Sequence, residues 1–421
     1  MPHMILASAG THGDVFPYIA LGLELLRRGH RVTLAVNEGY QELAKHLGFE
    51  FAALISEDET QALLQNPDVW HPVKCGVVGA RWGASVLPRH YEVMNALSAQ
   101  PDSVMVASPA IMAARMIQEK FGRPLVSIKH IPWIIASSSS PPAMTSGYTL
   151  PKWAPRPLAA FYWWTVDMAL HILMRGAFNR FRRSVGLPPV YRVFRWWTSP
   201  DLAIGLFPDW YAEPQPDWPP QLKVSGFPVF DGPSDNKLDE EVLNFCHYNG
   251  PPVVFTFGTG MQHAMKLFEA ASQACLESGR SGILLSRDAS QIPSGLPESV
   301  RHFSYVPLHQ LLPHCSAIVH HGGMGTTARA LAAGTPQLIV PHAWDQLDNA
   351  LRVMRLNVGR MLKRRHCTAD QISQSLSNLL TDSTKKACQQ IADRCDPDVG
   401  GVKAADWIEE WYANRPAEVA S

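Results

Sequence analysis

The sequence predicts a two-domain α/β protein, each domain a Rossmann-like alternation of strands and helices, with a cleft between them. Three observations carry this reading. The chain has 421 residues, too many for one core and enough for two domains of roughly 200 residues each. Short apolar runs recur in both halves, each followed by a small-residue turn and a helical pattern, which is the signature of parallel strands joined by crossover helices. A stretch rich in Pro, Asp and Gly, Pro228 to Asn236, separates the halves and reads as a linker. The expected boundaries are a first domain over 1–228, a linker over 229–238, a second domain over 239–400 and a terminal helix over 401–421.

Composition narrows the class. Lys and Arg number 37 and Asp and Glu number 37, for a formal net charge of +0, and the hydrophobic fraction is 46%. This is a globular composition whose charge balance gives no argument for nucleic acid. The 7 cysteines are scattered and form no C-x-x-C pair, as expected of reduced thiols and not of a disulfide framework or a zinc site. No basic region precedes the apolar run Met4 to Ala9, which argues against a secretory signal. The expectation is a cytoplasmic protein without a metal site. The most apolar segment, Leu158 to Met174, is interrupted by Thr165, Asp167 and His171. It falls short of the roughly 20 apolar residues that span a bilayer and reads as a soluble or interfacial helix, so membrane association stays open.

In the first half, His3 to Ser8 reads as a buried parallel strand. It leads into Gly10-Thr11-His12-Gly13-Asp14-Val15-Phe16-Pro17, and a helix carrying Ile19 to Leu26 follows. Arg31 to Val36 is the next strand, completing a β-α-β unit. The spacing is not G-x-G-x-x-G, so no dinucleotide fingerprint is claimed. Asp14 falls at the carboxyl end of the first strand, the edge where open α/β sheets bind ligands. A carboxylate there can take a proton from a substrate hydroxyl; it can equally cap the helix. His12 is a second titratable group or a loop residue. Strands at Ser103 to Ser108 and Leu125 to Lys129, with a helix from Ala110 to Phe121 between them, continue the alternation.

From Pro132 to Trp197 the character changes to proline loops and aromatic helices with interleaved arginines. An apolar acceptor pocket, plain packing, and attachment to a membrane surface all fit this region. His12, His130, Trp133 and Trp163 are the candidates for acceptor contact. Leu202 to Leu206 closes the first half as a further strand.

The second half repeats the opening logic. Pro252 to Phe257 is an apolar strand followed by Gly258-Thr259-Gly260 and a helix from Lys266 to Glu277. Ile283 to Ser286 is the next strand, then Phe303-Ser304-Tyr305-Val306-Pro307. The most informative stretch is Val319-His320-His321-Gly322-Gly323-Met324-Gly325-Thr326-Thr327: a strand, a glycine turn, and a helix expected to begin near Thr326 or Thr327. That arrangement aims free backbone N–H groups at an anion, and a histidine adds a side-chain donor. A tight turn with no ligand is the alternative. Gln337 to Val340 then leads to Pro341-His342-Ala343-Trp344-Asp345-Gln346, where a carboxylate beside an amide suits a polyol, unless Asp345 only caps a helix. Two such halves facing across a linker form a natural ligand cleft. Transfer of a sugar from a nucleotide donor to a lipophilic hydroxyl fits these features.

These motifs carry a resemblance. Tyr305-Val306-Pro307 through His320-His321-Gly322-Gly323-Met324-Gly325-Thr326 to Asp345-Gln346, together with Gly10-Thr11-His12-Gly13-Asp14-Val15-Phe16-Pro17, resemble the GT-B glycosyltransferases of family 1, the UDP-glycosyltransferase superfamily. Similarity extends over nearly the whole chain. Leu206-Phe207-Pro208-Asp209-Trp210, Gly226-Phe227-Pro228-Val229-Phe230-Asp231-Gly232 and Asp345-Gln346-Leu347-Asp348-Asn349-Ala350 look like the rhamnolipid-forming rhamnosyltransferase subgroup, whose donor is dTDP-L-rhamnose and whose acceptor is a hydroxyalkanoyloxy-alkanoic acid.

The resemblance implies a GT-B fold whose last helix crosses back to the first domain, and an inverting transfer with a nucleotide sugar as co-substrate and no further cofactor. It implies Asp14 as base, His321 and the N–H groups of Gly323, Met324, Gly325 and Thr326 at the diphosphate, Thr259 near the phosphates, Tyr305 and Val306 at the nucleotide base, and Asp345 and Gln346 at the sugar hydroxyls. Rhamnose from dTDP-rhamnose and glucose from UDP-glucose are both consistent with it. So is a sterol or polyketide acceptor in place of a hydroxy-fatty-acid lipid. Where plant members carry a ribose-binding glutamate this chain has Arg329, and Ser108 lies near the place of their base-orienting aspartate. A UDP-sugar epimerase or a non-catalytic binding module would share the fold.

Overall fold

A computed structural model describes residues 1–144, 150, 154–230, 232, 238–258, 264–396 and 399–415. Two parallel sheets organise them. The first is seven-stranded, in the order β3 (Glu50–Ile55), β2 (Arg31–Asn37), β1 (His3–Ala7), β4 (Ser103–Ala107), β5 (Leu125–Lys129), β6 (Leu202–Gly205), β7 (Leu222–Val224). The second is six-stranded: β10 (Val300–Phe303), β9 (Gly282–Leu285), β8 (Val253–Thr256), β11 (Ala317–His320), β12 (Gln337–Ile339), β13 (Gly359–Met361). Helices α1 (His12–Arg27), α2 (Gln41–His46), α3 (Glu57–Gln65), α4 (Cys75–Ser98), α5 (Met112–Phe121), α6 (Arg156–Ser184) and α7 (Val193–Trp196) accompany the first sheet. Helices α8 (Glu240–Tyr248), α9 (Met265–Ser278), α10 (Leu308–Leu311), α11 (Met324–Ala332), α12 (Gln346–Arg355), α13 (Ala369–Leu379) and α14 (Asp382–Ala392) accompany the second, and α15 (Val399–Ala413) ends the described chain.

The central strands are buried along their whole length. β1, β4, β5 and β11 have no exposed residue, which is why they read as continuous apolar runs and not as alternating ones. The strand order reverses between β1 and β4 in one sheet and between β8 and β11 in the other. Such a reversal opens a crevice at the carboxyl ends of the strands, so each sheet offers one crevice, and the two face each other.

The last helix returns to the first sheet's layer. Ala404, Ala405 and Ile408 of α15 join the core built by Tyr18, Leu21 and Leu25 of α1. Arg28 bonds Asp406 at 2.7 Å and Glu409 at 2.6 Å. The crossing is backbone against backbone. A side chain at Gly400 would lie 2.7 Å from the carbonyl carbon of Phe227 and 2.8 Å from that of Gly226.

The structure moves several expected boundaries. Helix α1 begins at His12, not after Pro17, because the Asp14 carboxylate reaches back to Thr11 and closes a capping box. Pro17 sits inside the helix. Helix α11 begins at Met324, ahead of Thr326 and Thr327, with Gly323 at its N-cap. The apolar segment 158–174 belongs to one longer helix, α6. Most of the expected linker 229–238 lies outside the described residues.

Candidate active site

A cavity of about 1160 Å³ lies between the carboxyl edges of the two sheets. From the first sheet it is reached by His12 and Asp14 of α1, by His130 and Trp133 after β5, and by Trp163 of α6. From the second come Tyr305, Val306, His321, Gly323 to Thr326, Asp345 and Gln346. Thr259 lies outside the described residues. Every other residue expected at the site lines this one cavity.

Asp14 occupies the third position of α1. Its Oδ2 accepts the Thr11 backbone N–H at 2.8 Å and the Thr11 hydroxyl at 3.2 Å. Gly10, at φ +135°, makes room for this fold-back; a Cβ there would overlap the carboxylate. The side chain of Asn37 brackets Gly10, accepting from its N–H at 3.2 Å and donating to its carbonyl at 3.1 Å. The capping role and the exposure to the cleft therefore belong to the same side chain. The other oxygen, Oδ1, is 3.2 Å from Nε2 of His130, a contact that the sequence did not foresee. The His130 ring is buried, and its Nδ1 has no partner among the described residues. His12 stacks on Phe16 at 4.5 Å. Burial, and then the charges of Arg287 and Arg329, bring its imidazole down to about 4, so it is neutral at neutral pH.

Opposite stands the N-terminus of α11. Its N-cap, Gly323, offers no side-chain cap, and the first turn carries no acidic residue, so the leading N–H groups are left for a ligand. His321 sits over this turn. Its ring packs against two glycines: a Cβ at Gly258 would lie 3.0 Å from Nε2, and one at Gly323 would overlap the same atom. Burial lowers the His321 imidazole to about 4, making it a neutral donor and not a cation. The two helices meet end to end, since a Cβ on Gly325 would lie 3.8 Å from Cα of Gly13. His320, by contrast, is fully buried; it pairs with Gln337 at 3.0 Å and accepts the Gly322 N–H at 3.1 Å, holding the turn.

Asp345 takes the N-cap position of α12 without making a side-chain capping bond. Instead its Oδ2 accepts from Asn349 at 2.7 Å. Burial, reinforced by the charge of Asp14, pushes its carboxyl up to about 7. Gln346 turns its oxygen back onto the loop, accepting from the N–H groups of His342 at 2.7 Å and Ala343 at 3.1 Å, which presents its amide nitrogen as the ligand-facing donor. Tyr305 is 41% exposed and lies under the guanidinium of Arg287, 5.4 Å from its ring centroid. Val306 is mostly buried in the second domain's core.

Two residues at the site escaped the sequence reading. Arg287 follows β9 with no motif around it. Trp344, at φ +59°, presses its ring on α4, where a Cβ at Gly79 would lie 2.8 Å from it. Arg329 donates to the carbonyls of Gly325 and Phe230, so it ties α11 to the end of the first half. The apolar arm of the cavity is walled by Trp82, Met112, Trp163, Leu170, Met174 and Trp197. Helix α4, which supplies part of that wall, was also unforeseen. Among the described residues, no group of three or more His, Cys, Asp or Glu side chains is arranged to hold a metal ion.

The arrangement provides a carboxylate on one side, an uncapped helix N-terminus with a neutral imidazole on the other, hydroxyl-binding groups beside them, and an apolar chamber behind. Comparison with known proteins agrees with it. Residues 4–139 match the glycosyltransferase family 28 N-terminal domain, and residues 281–398 match the erythromycin biosynthesis protein CIII-like C-terminal domain. The chain is 26% identical to O-mycaminosyltylonolide 6-deoxyallosyltransferase of Streptomyces fradiae, over 97% of each chain. It is 25% identical to a sterol 3-beta-glucosyltransferase of Arabidopsis thaliana, over 97% of this chain and 68% of that one. Among solved structures it superposes on the glycotransferase of kitacinnamycin with a TM-score of 0.73 at 19% identity, covering 98% and 99% of the two chains. It also superposes on spinosyn rhamnosyltransferase complexed with thymidine diphosphate with a TM-score of 0.67 at 17% identity, covering 96% and 100%. Both halves, their order and the cleft between them thus agree on one assignment: the chain is an enzyme, a glycosyltransferase with the GT-B fold.

Proposed function

We propose that this enzyme moves a hexose, rhamnose or glucose, from a dTDP- or UDP-sugar to the hydroxyl of a lipophilic acceptor, with inversion at the anomeric carbon. The observation that carries the reading is the juxtaposition of Asp14 with the uncapped N-terminus of α11 at the mouth of an apolar chamber. Asp14 takes the acceptor proton as the hydroxyl oxygen bonds to the anomeric carbon. The bond from that carbon to the diphosphate oxygen breaks, and its electron pair leaves on the diphosphate. The N–H groups of α11 and the neutral His321 stabilise that charge. Asp345 and the Gln346 amide hold the sugar hydroxyls, and Tyr305 with Val306 receives the nucleotide base. No cofactor beyond the nucleotide sugar enters this scheme.

A hydroxy-fatty-acid lipid suits the apolar arm, whose indole and methionine walls offer few polar partners. A sterol or polyketide aglycone is the second reading; the sterol 3-beta-glucosyltransferase relative favours the sterol. None of the seven cysteines is in a disulfide, which supports a reducing compartment such as the cytoplasm.

Asp14→Asn tests the mechanism. Turnover should fall by roughly 10²–10⁴-fold, the usual worth of a positioned base, while nucleotide diphosphate binding by calorimetry stays within about twofold of wild type. Near-normal turnover would remove Asp14 from the mechanism. Mass spectrometry of products from a panel of dTDP- and UDP-sugars with hydroxy-lipid, sterol and polyketide acceptors decides between the acceptor readings.

A further inference from the structure

Helix α6 is apolar on two opposite sides. Trp163, Val166, Leu170 and Met174 line the cavity. The other side carries Leu158, Phe161, Trp164 and Ile172, which are 46%, 60%, 45% and 55% exposed. At 100° per residue these four fall within an arc of about 120°, and none of them lines the cavity. Phe161 and Trp164 stack on each other, with ring centroids 5.8 Å apart. An apolar flank of a helix belongs in a core or against lipid. One flank of α6 is indeed packed against α4 and α5 through Met174 and Phe178, and the cavity takes a second. The third carries the stripe, which stays about half exposed among the described residues.

Charge says what the stripe fits. The acidic residue of the helix, Asp167, is buried and paired with Arg192 at 2.7 Å. Arg182 is buried against Glu119. The charges that α6 exposes are Arg156, Arg175, Arg180 and Arg183, all of one sign. An apolar, aromatic face edged by arginines with no exposed carboxylate complements an anionic lipid surface. A second copy laid on the same face would set arginines against arginines. Among the described residues, no helix is long and apolar enough to cross a membrane, so the contact is one of lying on the surface.

We propose that α6 docks this enzyme on an anionic bilayer, with Phe161 and Trp164 immersed in the interface. The acceptor then passes from the lipid around α6 into the apolar arm that the same helix lines. This route rests on the lipophilic-acceptor reading; the docking itself does not.

Flotation of the full chain with vesicles of phosphatidylethanolamine and phosphatidylglycerol tests it, with phosphatidylcholine vesicles alone as the uncharged control. Wild type should float with the anionic vesicles and much less with the control. The triple variant Phe161→Ser, Trp164→Ser, Ile172→Ser should lose at least about tenfold in affinity. The triple variant Arg175→Glu, Arg180→Glu, Arg183→Glu should lose roughly 100-fold or more on anionic vesicles. Both should keep wild-type transfer to a short-chain, water-soluble acceptor, because none of these side chains lines the cavity.

Undiminished flotation of the aromatic variant, or none by wild type, overturns the proposal. So does a wild-type dimer in sedimentation that the aromatic variant converts to a monomer, since a second copy then covers the face. Vesicle binding with no transfer to any hydroxy-lipid supports the docking and overturns the acceptor reading instead.

Discussion

The N-termini of α1 and α11 are the same device put to opposite uses. Each follows a buried parallel strand and a glycine turn at a point where its sheet reverses order, and the two meet at Gly13 and Gly325. Counted from the N-cap, Thr11 matches Gly323, His12 matches Met324, Gly13 matches Gly325 and Asp14 matches Thr326. In α1 the third position holds a carboxylate, which satisfies the helix end from within. In α11 the third position is a threonine and the cap is a glycine, so the helix end is left unsatisfied by its own chain. One terminus carries its own anion and can lend it as a base. The other is vacant for the anion a donor brings. The asymmetry divides the labour of the cleft.

Erasing that asymmetry should have the largest effect. Thr326→Asp gives α11 the carboxylate that α1 already has. The helix should gain about 0.3–1 kcal/mol from a first-turn anion, seen as a raised Tm. A diphosphate at the same N-terminus would meet a like charge, at about 1–4 kcal/mol for unit charges 4 Å apart between water and a protein-surface dielectric. Nucleotide diphosphate affinity by calorimetry should therefore drop by about tenfold or more while stability rises. Unchanged affinity would show that the anion does not sit at α11. Gly323→Ala is milder. Its φ of -64° suits any residue, so the cost is the overlap with the His321 ring, about 1–3 kcal/mol for an overpacked contact. This should appear as weaker diphosphate binding with the helix intact by circular dichroism; wild-type affinity would mean that the ring yields freely.

The smallest effect tests the charge across the cleft. Asp345 is raised from 3.8 to about 7 by burial and by Asp14, so between those values the folded state holds a proton that the unfolded chain releases. Its contribution to stability is present below about pH 4 and is lost as pH rises toward 7. Asp345→Asn should match wild type near pH 4 and exceed it at neutral pH, seen as a Tm difference that grows between those values. Parallel pH profiles of Tm for the two proteins would contradict this electrostatic account.

The central strands were legible because burial on both faces leaves an unbroken apolar run, as in Val253 to Phe255. The glycine turns were legible because few other residues permit their geometry. Helix α4 was not. It carries Gly76, Gly79, Gly83 and Pro88, which erase a helical signal. Yet the structure explains Gly79 as the place where the Trp344 ring approaches. Asp14 was recognised but placed in a loop, because Pro17 masked a helix that starts earlier and forgoes one backbone bond. Arg287 and the contact of His130 with Asp14 arise only when distant strands are brought side by side, so no local pattern announces them. The exposed stripe on α6 was hidden among its aromatics, which look alike in sequence whether they face the cavity, the core or solvent.

The close passage of Gly400 against Gly226 and Phe227 sets the mechanics of the enzyme. The chain leaves the first sheet at 226–228 and comes back at 400, and these two passages touch. Tethers attached at one place act as a single pivot and not as two separated struts. Relative motion of the halves can then be rotation about that pivot, with small displacement beside it and growing displacement toward the far mouth of the cleft. Admission of two substrates from the open side needs no stretching of either tether. A side chain at Gly400 would jam the pivot itself.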